Sequence, residues 1–200
     1  MNKIDTTAAT LDRREALPAL IGRHEDFLIV SGLAGAAQDV AEITAEADSA
    51  FMFGGAMGGA TMAGLGLALA QPQRKVLVVT GDGDLLMSLG SLATIATQRP
   101  QNLAIICIDN AHYGETGNQE THTAMGVDLA GVARACGFDT VMSVSQESAL
   151  QAASAALRET GPTFVLLRVT DGPSRRYRRN WDAVERKLVF RNALLAKAGS

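Results

Sequence analysis

The stretch VVTGDGDLLMSLG, residues 78–90, decides how this chain is read. Val78, Val79 and Thr80 are β-branched and suit a strand. The run breaks at Gly81-Asp82-Gly83 and resumes from about Asp84 as an apolar pattern with helical spacing. The glycines permit a tight turn and close approach of a ligand to the backbone. A helix starting there offers unpaired N–H groups and a positive dipole end to an anion. Asp82 and Asp84, however, would repel a bare phosphate. On these residues alone, a purely structural turn with Asp82 or Asp84 capping the helix stays open. The stretch is neither a Walker A loop, lacking Gly-Lys-Ser/Thr, nor a dinucleotide fingerprint, lacking the third glycine.

The flanking sequence places this turn in an α/β domain. Apolar runs at 27–30, 75–80, 103–109, 140–144 and 163–170 lack strict alternation, which predicts strands buried on both faces. Helical patterns fall at 11–22, 36–47, 58–70, 84–98, 127–136, 146–159 and 181–197. The third, GGATMAGLGLALA, is dense in small residues and should pack very close to its neighbours. The alternating order predicts a doubly wound, mainly parallel sheet with helices on both faces, in one domain over residues 1–200. Ligands then bind beyond the carboxyl ends of the strands. Ser31-Gly32, Gly81-Asp82-Gly83 and Asn110 all fall there.

Bulk properties exclude several functions. The 200 residues are 47% hydrophobic and 20% charged, with a net charge of −3, so no nucleic-acid partner is expected. No apolar run is long enough to span a membrane. The opening MNKIDTTAATLDRREAL lacks the apolar core of a secretory signal, so a cytoplasmic location is expected. Cys107 and Cys136 read as buried structural thiols. The absence of a CxxC pair argues against cysteine-ligated zinc or an iron–sulfur cluster.

A hard divalent cation would explain Asp82. Mg2+ takes oxygen ligands from one or two side chains and from phosphates, and its charge cancels the repulsion that the carboxylate would otherwise cause. Asn110, at the end of the next strand, is the natural second ligand; alone it would read as a turn residue. A GDG turn, a helix, an apolar strand and then Asn resemble the diphosphate-binding motif of thiamin diphosphate (ThDP) enzymes. The resemblance runs from about residue 27 to 170 and includes the glycine-rich FGGAMGGATMAGLGLALA, residues 53–70. It implies that Asp82 and Asn110 ligate Mg2+ by their side chains and His112 by its backbone carbonyl. It also implies that Gly81, Gly83 and Asp84 meet the diphosphate by backbone. Met57 would sit under the cofactor, with Gly55, Ala56 and Met57 along the pyrimidine edge. Met57 read without the resemblance is core filler.

The same resemblance implies something missing. Family members use a Glu that hydrogen-bonds the pyrimidine ring, supplied by a pyrimidine-binding domain for which this chain has no room. A partner chain, the pyrimidine-binding or alpha subunit, is therefore expected, in a dimer of heterodimers or larger, with a small 2-oxoacid as substrate. GDGDLLMSLGSLATIA (81–96), DNAHYGETGNQETHT (109–123) and VERKLVFRNAL (184–194) look like the sulfopyruvate and phosphonopyruvate decarboxylase branch. Two departures stand out. Asp84 occupies a position that is usually small, so its carboxylate must point away from the diphosphate, cap the helix or reach the partner. SGLAGAAQD (31–39) replaces a Ser-Arg-Glu type segment, which leaves both a charged and a less charged oxoacid tail open.

In the loop that follows Asn110, the residues His112, Tyr113, Glu115, Gln119, Thr121 and His122 are candidates for substrate contact or proton transfer, with Gly114 beside the cofactor. His122 reads equally well as a solvated loop residue. The tail SRRYRRNWDAVERK (174–187) belongs to a C-terminal extension, 172–200, for packing or partner contact. Its arginines suit a solvated basic turn, an acidic partner surface or a substrate carboxylate. Two other functions keep the same fold: a carboligating enzyme of acetolactate synthase type, and an assembly or regulatory subunit without turnover.

Overall fold

The computed structural model describes residues 10–197. The first nine residues, part of the stretch read above for a secretory signal, and the last three of the C-terminal extension lie outside the described residues. The strands are β1 (Phe27–Ser31), β2 (Ala50–Met52), β3 (Lys75–Gly81), β4 (Leu103–Asp109), β5 (His112–Tyr113), β6 (Gln119–Glu120), β7 (Thr140–Val144) and β8 (Thr163–Arg168). The helices are α1 (Arg13–Ile21), α2 (Ala34–Thr44), α3 (Gly59–Ala70), α4 (Asp82–Leu86), α5 (Ser91–Gln98), α6 (Leu129–Cys136), α7 (Leu150–Ala156) and α8 (Ala183–Lys197). Six strands form one parallel sheet in the order β2-β1-β3-β4-β8-β7. This is the doubly wound fold that the apolar runs predict.

Alternation along each strand divides the core into two layers. Phe27, Ile29, Leu77, Val79, Ile106 and Val165 join Leu17, Leu20 and Val40 on one face, under α1 and α2. Leu28, Val30, Val76, Val78, Ile105 and Phe164 join Leu65, Leu92 and Ala133 on the other, under α3, α5 and α6. Full burial of both faces explains why the strand sequences read as continuous apolar runs. The small residues of α3 do what their density implies. A Cβ at Gly64 would lie 2.1 Å from Val78 Cγ2, so only glycine lets this helix sit so close to β3. Cys107 is buried and Cys136 half-buried, both as free thiols.

Several elements differ from expectation. Strand β2 has three residues at the sheet edge, too short to read as an apolar run. The helix expected over 84–98 is two helices, α4 and α5, parted at residues 87–90. The Ser88 hydroxyl there donates to Gly58 O at 2.7 Å, and Gly90 follows, so a long-range tie and a weak helix former interrupt the pattern. The last strand ends at Arg168, and Val169 bridges to Leu11 instead. Part of the loop after Asn110 forms a small antiparallel hairpin, β5–β6.

The C-terminal segment before α8 crosses α2 as a strap. Arg175 pairs with Glu42 at 3.0 Å, and its backbone N–H donates to Asp39 at 2.9 Å. Asn180 N–H donates to Glu46, and Arg186 donates to the carbonyls of Glu46, Ala47 and Ala50. An acidic surface for the arginine cluster thus exists within the chain itself, on and just beyond α2.

Candidate functional site

Strands β2 and β3 flank β1 on opposite sides, which opens a crevice at the carboxyl ends of the central strands. A cavity of about 500 Å3 lies there. Its wall includes Gly81–Asp84 from the end of β3 and the start of α4, and Asn110, His112, Tyr113, Gly114 and Glu115 beyond β4. Met57 contributes from the loop before α3, 44% exposed although it is a large apolar side chain. Sequence-predicted residues from three separate segments therefore share one cavity.

Asp82 is the electrostatic centre of this wall. It is 2% exposed. Its Oδ2 accepts hydrogen bonds from the hydroxyls of Thr121 at 2.6 Å and Thr123 at 3.1 Å. Burial pushes its carboxyl up to about 6; the threonine hydrogen bonds oppose this, and the negative charge of Asp109 adds to it. Asp109, itself buried, accepts from Thr123 at 2.7 Å and lies 3.5 Å from the Arg168 guanidinium. Among the described residues no cation pairs with Asp82. A buried carboxylate held by hydrogen bonds but short of positive charge is suited to a bound cation.

Asn110 stands at the next strand end. Its Nδ2 donates to Asp171 at 3.3 Å, which turns the amide oxygen to a position where it could ligate a cation; among the described residues that oxygen accepts only a long bond, 3.3 Å, from His112 N–H. Ala111 between them adopts φ 61°, a left-handed conformation costly for a residue with a Cβ. Among the described residues no group of three or more His, Cys, Asp or Glu could hold a metal alone. One carboxylate, one amide and a carbonyl suit a hard cation that arrives with phosphate oxygens.

Asp84, on the same wall, is buried and its carboxylate is engaged within the chain. Its Oδ2 accepts from Thr80 Oγ1 at 2.7 Å, and its Oδ1 accepts from the Gly58 N–H. A Cβ at Gly32 would fall 1.8 Å from Asp84 Oδ2. The carboxylate therefore ties the end of β3 to the start of α3 and packs against the backbone just after β1. It does not cap α4, whose N-cap is Gly81. Gly83 has a separate reason to be glycine, since a Cβ there would meet the Tyr113 ring at 2.4 Å.

Not every candidate reaches this cavity. Gly55 and Ala56 are exposed beside Met57 but are not on its wall. Gln119 turns into the hairpin, where it accepts from Thr116 Oγ1 at 3.1 Å. His122 is exposed while Thr121 and Thr123 on either side are buried, where the chain enters a turn over 122–126. The second threonine of ETHT was the available signal for Thr123, which sequence reasoning passed over. Asp109, Asp171 and Arg13 were also missed, because their importance rests on contacts with distant segments. Helix α4 has five residues, so it carries little dipole. The eleven-residue α2 has no side-chain cap, and its first turn, Ala34–Ala36, faces the same cavity.

The description "Thiamine pyrophosphate enzyme, C-terminal TPP binding domain" belongs to a family model that matches residues 34–167. Over 93 residues the chain is 50% identical to sulfopyruvate decarboxylase subunit beta of Methanocaldococcus jannaschii, covering 46% of this chain and 49% of that one. The same subunit from Methanothermobacter thermautotrophicus is 38% identical over 162 residues, 81% of this chain and 84% of that one. Phosphonopyruvate decarboxylase of Streptomyces viridochromogenes is 39% identical over 83% of this chain but 42% of its own length, so the match spans less than half of that relative. The solved thiamine diphosphate-dependent 4-hydroxybenzoylformate decarboxylase of Rhodococcus jostii RHA1 shares the fold, with a TM-score of 0.62 and 22% identity over 83% of this chain and 34% of that one. The matched segment carries Met57, the Gly81–Asp84 turn and Asn110 together, and the chain belongs to the thiamine pyrophosphate enzyme family, whose C-terminal TPP-binding domain it contains.

Proposed function

We propose that this chain is the ThDP- and Mg2+-binding subunit of a two-chain, cytoplasmic 2-oxoacid decarboxylase. The observation that carries the reading is Asp82, a buried carboxylate that no cationic side chain among the described residues pairs with, beside Asn110 on the wall of a cavity in this family's domain. Relatives matched over most of their length are named as decarboxylase beta subunits. Asp82 Oδ1, Asn110 Oδ1 and the His112 carbonyl would hold Mg2+. The backbone of Gly81–Asp84 and the first turn of α2 would receive the diphosphate, and Met57 would support the apolar part of the cofactor.

Bound ThDP supplies an electron sink for the loss of CO2 from a 2-oxoacid. The chain's own part is to bind and orient. Thr121 and Thr123 fix the Asp82 carboxylate, Asp171 fixes the Asn110 amide, and Tyr113 packed on Gly83 shields the turn from water. His112, Tyr113 and Glu115 stand on the same wall for substrate contact or proton transfer.

In this proposal the chain is a single diphosphate-binding domain, with residues from 172 onward as an extension. The pyrimidine-binding half and its activating Glu come from a partner chain, in a dimer of heterodimers or larger. Helix α3 supports a partner. It has no charged residue, yet Met62, Gly66 and Leu69 are exposed along one of its faces. Met57 and Met87 continue that apolar surface to the cavity: Met87 Cβ lies 3.3 Å from where a Cβ of Gly58 would stand. Such a surface marks an interaction site. Co-expression with the partner, followed by turnover of a 2-oxoacid panel, tests the reading. The chain alone should be inactive, the complex active, and the Asp82→Ala complex dead. Normal turnover by the isolated chain, or by the Asp82→Ala complex, would overturn it.

A further inference from the structure

The strap that crosses α2 carries arginines at 175, 176, 178 and 179, and they are not equivalent. Arg175 is bound to Glu42 and to the Arg14 carbonyl. Arg179 is buried and stacks on Trp181, 4.6 Å from the ring centroid. Arg176 is exposed, and among the described residues no carboxylate lies within ion-pair distance of it. It is nevertheless placed at a junction. A second cavity of about 650 Å3 adjoins the first, and Arg176, Ser174, Gly35 and Glu115 belong to the walls of both.

The position of that junction limits what Arg176 meets. The metal-ligand candidates Asp82, Asn110 and His112 line the first cavity only, whereas Arg178 and Trp181 line the second only. Arg176 therefore stands at the end of the cofactor cavity where it opens into the second. Arg13, the other arginine on the first wall, is already committed: its Nε and Nη2 donate to Asp39 at 2.8 and 2.6 Å. Among the described residues Arg176 is the cation left uncommitted there, beside a hydroxyl, the Glu115 side chain and the uncapped first turn of α2. A guanidinium whose five donors are unengaged among the described residues suits a flat or tetrahedral oxyanion.

We infer that the junction of the two cavities is a subsite for an anionic end group of the oxoacid substrate, a carboxylate, sulfonate or phosphonate remote from the reacting carbonyl, and that Arg176 determines specificity for it. This rests on the decarboxylase reading above and deepens it. The subsite takes the substrate's far charge rather than the cofactor's diphosphate, and the two are separable by experiment.

Two measurements test it. In the assembled enzyme with ThDP and Mg2+, Arg176→Gln should raise KM for 3-sulfopyruvate about 10- to 100-fold with kcat little changed, the loss expected for one charge-assisted contact. For 2-oxobutyrate, which has the same carboxylate but an uncharged tail, KM should hold within about twofold, and Arg176→Lys should recover part of the loss. An equal penalty on both substrates, or weakened ThDP binding in Arg176→Gln, would overturn the subsite. Trp181, the sole tryptophan, lies on the second wall and reports binding without turnover. Titrating 3-sulfopyruvate into the full chain should shift its fluorescence, with affinity reduced about 10- to 100-fold in Arg176→Gln. If the wild-type complex decarboxylated no oxoacid, the decarboxylase reading would fall. This titration would still decide the subsite, an unchanged affinity in Arg176→Gln refuting it.

Discussion

Replacing Gly32 by Ala should damage the fold through Asp84, and a second substitution should repair the damage. A Cβ at Gly32 would stand 1.8 Å from Asp84 Oδ2 and 3.0 Å from its Cγ, so the carboxylate must leave its place. Leaving breaks its bonds to Thr80 Oγ1 and the Gly58 N–H. Hydrogen bonds to a charged partner contribute about 1.5–3 kcal/mol each, so Gly32→Ala should cost about 3–6 kcal/mol. Asp84→Ala removes the same two bonds and should cost about the same. In the double variant the bonds are lost once and the added methyl group enters space that the carboxylate has vacated. Its cost should again be about 3–6 kcal/mol rather than the sum, a coupling of about 3 kcal/mol or more. Urea unfolding of the four proteins, with ΔG taken at a common m-value, measures this. Additive costs, within about 0.5 kcal/mol, would refute the account and give Gly32 another reason to be glycine.

Two further predictions concern Asp82. Its carboxyl is pushed up to about 6 from 3.8, so the metal-free fold binds this proton more tightly than the unfolded chain does. The contribution to stability is complete below about pH 4 and is lost as pH rises through about 6, roughly 3 kcal/mol for a shift of about two units. Urea midpoints of the metal-free protein between pH 4 and 7 should show this slope, and Asp82→Asn should flatten it; equal slopes in both proteins would refute the assignment. Thr121→Val or Thr123→Val should weaken Mg2+ binding in the presence of ThDP by about 10- to 100-fold, as loss of a partner behind a metal ligand does, and serine should restore it. Calorimetric titration checks this, and Mg2+ affinity unchanged in the valine variants would sink the positioning role.

The sheet was legible because burial on both faces writes itself into the sequence as unbroken apolar runs, as in LAIICID. The positions of the GDG turn and Asn110 were legible because both stand where an apolar run stops. What escaped depends on pairs far apart along the chain. Nothing in LMSLG announces that Ser88 is bound to Gly58, and so the break between α4 and α5 was hidden. The carboxylate of Asp84 could be read as a departure but not placed, because Gly32 and Gly58 lie 52 and 26 residues before it. The arginine cluster left a solvated turn, an acidic partner and a substrate carboxylate open because the acids that hold the strap, Asp39, Glu42 and Glu46, lie in α2 and just beyond it, more than 120 residues earlier.

The strap has a consequence for how such a protein can change. The segment matched by the family model ends at residue 167, before the strap begins. Asp82, Asn110 and Met57 lie inside it, whereas Arg176 lies beyond it and grips α2 only through its neighbours. If the proposed subsite holds, variation at Arg176 would exchange the charge offered to the substrate while Asp82, Asn110 and Met57 keep their places. On that reading, inheritance of the reaction and diversification of the substrate would fall to different stretches of one chain.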